Sequence, residues 1–341
     1  MKIALAAIPA SEKCGDLEKL FSESAGRFLA TVAPDKAEAV LRAAREQGFT
    51  PRARRARAEG AGPVNFGFLP VAPLEVIGAE IFMRALKGLA ESLPPRSGLV
   101  ALPPFAGAEA LQAAIGEQRL AGVLLAGFAA PHGLMAALGK TPCAWLWGRG
   151  ESGKKTDEPA FGSDALAGAL AARELLRQGA KRLVALAWPS CDPGVGCRVD
   201  GFRFEALRQG AAAQTLAPAP DTPAFETAPI AATRERLAAL FETLDCDGAG
   251  IFSPDDRLTA LLHPLLREWG LFPGRGARLM SCNHQKSLLA PLFPRPGSVD
   301  LAPELAARQA LTRLRERLAG FAPPSRVEVV VRPGLVPGDP L

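Results

Sequence analysis

The feature that most constrains this chain is an alternation of short apolar runs with longer amphipathic stretches, which begins after Pro63. In its first round the apolar runs are residues 64–69, 98–102, 122–125 and 143–146, and the amphipathic stretches between them are 76–93, 108–118 and 131–138. Strand-length runs separated by helix-length stretches predict βαβ units, and therefore a parallel sheet with helices on both faces.

The same alternation occurs a second time after a polar loop at residues 148–159. Helices are predicted at 164–178, 199–208, 233–244, 257–269 and 303–319, and strands at 182–187, 250–252, 278–280 and 327–331. Two successive α/β units predict a two-lobed protein of class α/β. Such a protein binds its ligand in the cleft between the lobes, at the carboxyl ends of the strands.

Charge is concentrated at one place near the start of the chain. The 341 residues carry a formal net charge of +5, which permits nucleic acid as a partner without requiring it. Four arginines fall within six residues, at Arg52, Arg54, Arg55 and Arg57. This basic run separates the N-terminal segment from the α/β units.

The sequence lacks the residue patterns that several classes of protein require. The six cysteines form no CxxC pair, the three histidines have no nucleophile arrangement around them, and there is no phosphate loop or HExxH. We therefore expect no enzyme activity, no metal and no cofactor. Glu12, Lys13 and Asp16 interrupt the start too early for a signal peptide, and no apolar run approaches the roughly 20 residues that cross a bilayer. A cytoplasmic protein without a membrane partner is expected, and an exported solute-binding protein is disfavoured.

Motifs in a fixed order give the chain a resemblance to a known family. Residues 161–168 with 171–176 resemble the start of the second lobe in the lactose/galactose repressor (LacI/GalR) family of transcriptional regulators. The other segments that resemble family motifs, in chain order, are 179–186, 198–202, 252–259, 278–283, 297–299, 302–303 and 329–332. The resemblance implies a sensor of the periplasmic-binding-protein-like type I fold, preceded by a small all-α helix-turn-helix head.

The resemblance also implies an effector site in the cleft. The family's effector-binding arginine matches Arg198, which we expect at the opening of a helix, where its guanidinium can meet ligand hydroxyls or carboxylates. Asp255 stands where the family usually has Asn, and Asn283 where it usually has Asp, so ligand preference is expected to differ. Trp147 and Trp188 each follow a strand, where they either stack on a ligand or pack in a core.

The N-terminal segment departs most from the family pattern. Residues 32–51 resemble the third head helix and its exit, and the resemblance makes Ser22 and the four arginines candidate DNA contacts. Glu23 stands where the family has Arg, and an acidic side chain near phosphates opposes binding. Ala58 stands where the family inserts a leucine wedge into the minor groove, which suggests reduced DNA bending.

These features together predict a transcriptional regulator. The expected domains are a DNA-binding head at 1–50, an Arg-rich hinge at 51–62, and an effector-binding and dimerisation domain at 63–341. Lobe 1 is expected at 63–160 plus 295–320, and lobe 2 at 161–290 plus 325–337. The partners are double-stranded operator DNA, a small-molecule effector such as a sugar, and a second copy of the chain, with dimer surfaces on the 76–93 helix and around Pro291 and Leu292. The alternative is a sugar-sensing protein that has lost sequence-specific DNA binding.

Overall fold

The computed structural model describes residues 64–128, 130–147, 163–242, 244, 246–272, 276–320 and 329–340, all within one compact unit that spans Ala61–Leu341. The predicted head, the hinge and their DNA-contact residues Ser22, Arg52, Arg54, Arg55 and Arg57 lie outside the described residues.

Lobe 1 is built on a parallel sheet of four strands in the order β2-β1-β3-β4. Its elements are β1 (Val64–Pro70), α1 (Leu74–Ile77), α2 (Ala79–Ala90), β2 (Ser97–Ala101), α3 (Ala108–Glu117), β3 (Leu120–Ala126), α4 (Leu134–Leu138) and β4 (Cys143–Trp145). Side chains on both faces of this sheet are buried, as a parallel sheet covered by helices requires. One face packs under α3 and α4. The other packs under α2 and under α10 (Pro303–Leu318), a helix from near the end of the chain.

Lobe 2 is built on a six-stranded sheet in the order β10-β9-β8-β7-β5-β6, parallel except for β10. Its elements, together with α10 of lobe 1, are α5 (Ser163–Arg177), β5 (Arg182–Leu186), α6 (Pro193–Arg208), β6 (Ala213–Leu216), α7 (Ile230–Glu242), β7 (Ala249–Phe252), α8 (Asp256–Glu268), β8 (Arg278–Cys282), α9 (Lys286–Leu289), β9 (Gly297–Asp300), α10 (Pro303–Leu318) and β10 (Gly334–Val336). Leu183 and Ala185 of β5 face α5 and α6, whereas Val184 and Leu186 face α7 and α8.

The boundary between the lobes differs from the predicted one at residues 295–320. The prediction assigned this range to lobe 1 as a block, but β9 pairs with β8 and buries Val299 in the core of lobe 2. Only α10 belongs to lobe 1, where Ala307 and Leu311 pack against its sheet. The chain therefore crosses between the lobes at residues 301–302, directly after β9.

Three predicted elements also differ in extent. The helix expected at 76–93 is divided by Gly78, whose φ of 91° interrupts helical geometry and leaves α1 and α2 as separate helices. The helix expected to begin at Val199 begins at Pro193. Of the last strand, expected at 327–331, only residues 329–331 are described, and they lie outside any strand; the last described strand is Gly334–Val336, which pairs antiparallel with β9.

Candidate functional site

A cleft lies where the carboxyl ends of the two sets of parallel strands face each other. Residues after β1, β3 and β4 line it from lobe 1, and residues after β5, β7 and β8 line it from lobe 2. The volume that the centre of a water-sized molecule can occupy in it is about 50 Å³, and all the space between its lining atoms, with the solvent at its open mouth, is about 740 Å³. Its charged and amide side chains are Asp164, Asp192, Arg198, Asp255, Arg257 and Asn283. Three of these six residues, Arg198, Asp255 and Asn283, are effector-site residues that the sequence predicted.

Arg198 is held by the protein on all three of its guanidinium nitrogens. Its Nε donates to Asp164 at 2.7 Å, its Nη2 to Asp192 at 3.0 Å, and its Nη1 to the carbonyl of Pro254 at 3.0 Å. Burial favours a lower pKa for this guanidinium, but Asp164 and Asp192 outweigh it and raise the pKa well above its ordinary value. Arg198 lies in the second turn of α6 and does not open the helix as expected.

Asp192 positions Arg198 and begins α6 as well. Its carboxylate caps the helix by accepting from the Gly194 N–H at 2.8 Å, and Pro193 occupies the first helical position. Burial, with a smaller contribution from Asp164, raises the pKa of Asp192 to about 6 against the opposing effect of Arg198. The sequence prediction did not include this residue, although Asp before Pro is a recognisable signal for the start of a helix.

Asp255 and Asp256 are adjacent at the start of α8 but have different environments. Asp255 caps α8 by accepting from the Arg257 N–H at 2.8 Å, and it also accepts from Asn283 Nδ2 at 2.8 Å. Asp256 lies beneath it, fully buried, where it accepts from Ser281 and from the Gln285 N–H. Burial raises the pKa of Asp256 well above its usual range. Asp255 is therefore the member of the pair that lines the cleft.

The two tryptophans have different environments. Trp147 is half-buried at the end of β4 and lines the cleft. Trp188 is 4% exposed and packs in the core of lobe 2 with Leu186 and Val195. The structure therefore brings Trp147 to the cleft but places Trp188 in the core, the second of the two roles considered for it.

Arg257 joins the two lobes at the cleft, and the sequence prediction missed it. Its Nη1 donates to the carbonyl oxygens of Glu75 at 2.7 Å and Val76 at 3.3 Å in lobe 1. Its Nε and Nη2 donate to the two oxygens of Asp255 in lobe 2, and its guanidinium lies 4.9 Å from the ring centroid of Phe225. Asp255 raises the pKa of Arg257 against the effect of burial. No local motif marks this role, because its acceptors are backbone atoms some 180 residues away.

Helix α2 makes a second set of contacts between the lobes. The Glu80 carboxylate accepts from the N–H groups of Lys286 and Ser287, at 2.8 and 2.9 Å, across the start of α9. One turn later, Arg84 pairs with Asp300 at 2.8 Å and with Glu304 at 2.6 Å, on either side of the chain crossing. These contacts hold the loop that carries Asn283 against lobe 1.

The described part of the chain contains neither a membrane-spanning helix nor a group of metal-binding side chains. No described helix combines the length and the apolar character needed to cross a bilayer. Within the same residues, no group of three or more His, Cys, Asp or Glu side chains is placed to hold a metal ion.

Comparison with known proteins relates this architecture to one class. No family model matches the sequence, and no curated protein matches it. Solved structures do match. A cellobiose complex of the transcriptional regulator CelR is 20% identical, with a TM-score of 0.60 over 90% of this chain and 91% of that chain. A LacI-family regulator from Rhizobium etli is 14% identical, with a TM-score of 0.64 over 80% of this chain and 97% of that chain. The ribose operon repressor of Lactobacillus acidophilus is 15% identical, with a TM-score of 0.60 over 82% of this chain and 98% of that chain.

These similarities define the class by its fold. The described residues have the two-lobed, parallel-sheet, periplasmic-binding-protein-like fold of LacI-family transcriptional regulators. The periplasmic-binding-protein-like sensor fold predicted from the sequence is thereby confirmed for the described residues, with the cleft where the two α/β lobes meet.

Proposed function

We propose that the chain is a DNA-binding transcriptional regulator whose operator affinity is controlled by a small metabolite, a sugar or a related molecule, bound between the lobes. The observation that carries the proposal is the inter-lobe cleft, in which Arg198 and three carboxylates are organised around a buried hydrogen-bond network. The shared fold supports the regulator class, and the similar CelR structure contains cellobiose.

The contacts between the lobes suggest how ligand binding would control DNA affinity, through closure of the two lobes. A ligand that favours the closed arrangement shifts the population toward it, by its difference in affinity for the two states. Arg257, Glu80 and Arg84 form their cross-lobe bonds only when the lobes are close together. Closure in two copies of the chain would change the spacing of their hinges, and with it the fit to two half-sites.

Specific DNA binding is tested by selection from a random duplex library with the full chain at physiological salt. We expect enrichment of a near-palindromic sequence, because a symmetric dimer reads two related half-sites. Failure to enrich any sequence would contradict the operator part of the proposal. It would favour the second candidate, a sugar sensor without specific DNA binding, which Glu23 in the head supports.

The predicted hinge arginines are tested through the salt dependence of binding. The double variant Arg54→Ala/Arg55→Ala is expected to reduce the slope of log affinity against log salt by about 2, because each phosphate contact contributes about one unit. Arg315→Ala on α10, which removes one exposed arginine from lobe 1, is the control and should leave the slope unchanged. Equal slopes in all three proteins would remove the hinge from the interface.

A homodimer is the proposed oligomeric state, and one described face supports it. A shallow groove between α8 and the α9–β9 loop is lined by Pro264, Pro291 and Leu292, and Phe293 beside it is 72% exposed. Phe293→Glu is expected to weaken self-association by at least about tenfold in sedimentation velocity. Phe204→Glu on α6, where the ring is 70% exposed, is the matched control. Equal effects of the two substitutions on self-association would exclude this face as the dimer interface.

A further inference from the structure

The two walls of the cleft differ in chemistry. Among the described residues that line it, every charged side chain belongs to lobe 2. Lobe 1 contributes apolar and aromatic side chains, and the main ones are Val76, Ile77, Ile81, Phe128, Leu146 and Trp147. A ligand enclosed here therefore meets a polar wall on one side and an apolar wall on the other.

The polar wall carries an excess of negative charge. Asp164, Asp192 and Asp255 face only two guanidinium groups, and both of these are already paired with those carboxylates. The raised pKa of Asp192, about 6, has the same cause, because burial among other carboxylates disfavours its ionised form. An anionic ligand would add another negative charge without finding a free cation among the described lining residues. A ligand with hydroxyl donors would be stabilised.

The exposure of these side chains shows which of them a ligand reaches. Asp164 is 16% exposed, compared with 8% for Asp192 and 1% for Asp255. Arg257 is 22% exposed, and Arg198 only 4%. Asp164 is therefore the accessible acceptor, and Arg198 acts mainly by holding it in place. Arg257 is more exposed, but its three nitrogens already donate to Asp255, Glu75 and Val76.

The apolar wall discriminates against ligands that are polar on every side. A hydroxyl pressed against Ile81 or Phe128 loses its hydrogen bonds to water without gaining others, which destabilises the complex. An apolar ring in the same place is stabilised because its surface is removed from water. A ring beside Trp147 also gains an aromatic contact.

We infer that the cleft takes an uncharged amphipathic ligand, with a hydroxylated part that donates to the lobe 2 carboxylates and an apolar or aromatic part that packs on lobe 1, as in an aryl glycoside. The inference rests on the proposed function only in taking this cleft as the effector site. It follows from the division of chemistry between the two walls.

The test compares matched ligands on the full chain. Methyl and phenyl glycosides of the common hexoses and pentoses, and the corresponding sugar phosphates, are screened by thermal shift, and calorimetry then measures Kd for the sugars that bind. We expect the phenyl glycoside to bind at least about tenfold more tightly than its methyl partner, and the phosphates to give no shift. Equal or tighter binding of a methyl glycoside or a phosphate would overturn the inference, as would the absence of binding by every phenyl glycoside. The DNA selection needs no ligand, so the regulator proposal is judged separately.

Variants assign the preference to the apolar wall. Ile81→Gln on α2 places a polar group in this wall and is expected to reduce the ratio of methyl to phenyl Kd by at least about threefold. Met83→Gln on the same helix, where Met83 is 60% exposed and outside the lining, should leave the ratio unchanged. Asp164→Asn should raise the Kd of the methyl and the phenyl glycoside by similar factors. Because the ratio compares two ligands on one protein, a general loss of stability cancels. An unchanged ratio in Ile81→Gln would exclude the wall as its source.

Discussion

At the scale of single residues, Arg198 shows what the sequence can and cannot predict about the site. A motif resemblance was sufficient to place it in the cleft. That it would be buried and bonded to Asp164, Asp192 and Pro254 depends on three separate segments of the chain. Arg257 was missed for the same reason, since its lobe 1 partners are set by tertiary structure. Asp192 was missed although its partners Gly194 and Arg198 are close to it in the sequence.

Arg198→Ala is therefore expected to affect stability as well as ligand binding. Removing the guanidinium leaves the buried Asp192 and the partly exposed Asp164 without their counter-ion, which costs about 3–5 kcal/mol of the free energy of unfolding. Urea denaturation measures this change. Adding Asp192→Asn should recover part of the loss, because the double variant has one fewer uncompensated charge. A single variant as stable as the native protein would show that the network is not structurally important.

Asp192 makes stability depend on pH. Because its folded pKa is raised to about 6 from an ordinary 3.8, it stabilises the fold fully below that ordinary value, and this contribution is lost as the pH rises through 6. Between pH 4 and pH 7 the free energy of unfolding of the native protein, relative to Asp192→Asn, should fall by up to about 3 kcal/mol. Parallel denaturation series of the two proteins measure it. A difference that is constant with pH, or that rises with pH, would contradict the assignment.

At the scale of elements, the close crossing of α5 and α6 positions the site. A Cβ at Gly168 would lie 1.8 Å from the carbonyl oxygen of Arg198, and one at Gly201 would lie 2.0 Å from that of Ala165. Only glycine permits this approach, which sets the depth of Arg198 in the cleft. The alternation of apolar runs was enough to predict both helices. Their separation was not predictable, because it depends on which faces meet.

Gly201→Ala is expected to lower the free energy of unfolding by about 1–3 kcal/mol, because the added methyl forces the two helices apart. Gly196→Ala, in the same helix with no atom within 4 Å of the new methyl, should be neutral or stabilising by up to about 1 kcal/mol. Thermal unfolding of the two variants provides the comparison. Similar losses in both would indicate that the crossing tolerates a wider separation.

At the scale of the whole molecule, the sequence predicted two lobes and the edge at which they meet, because apolar periodicity and the alternation of strands with helices are local properties. It did not predict the contacts across the cleft. Arg257 donates to backbone carbonyls of lobe 1, and Glu80 accepts from two backbone N–H groups and from one hydroxyl, that of Ser287, so these contacts offer little side-chain complementarity to find in the sequence. The crossing after β9 was misplaced because the four-residue strand β9 was not predicted, so its residues were assigned to lobe 1 together with the helix that follows.

Arg257→Gln is expected to shift the lobes toward a more open arrangement. The variant loses the donors to Glu75 and Val76, and small-angle scattering should show a larger radius of gyration without ligand. Arg234→Gln breaks an exposed ion pair with Glu268 inside lobe 2 and is the control. An unchanged radius in Arg257→Gln would show that the α2 contacts alone keep the lobes together.

The unequal walls of the cleft also set the order of events during binding and its heat signature. Because the charged groups among the described lining residues lie on lobe 2, a ligand can form its hydrogen bonds there while lobe 1 is still apart. Closure of lobe 1 then removes mainly apolar surface from water, which gives a negative change in heat capacity. The measured enthalpy of binding should therefore become steadily more favourable as the temperature of the titration is raised.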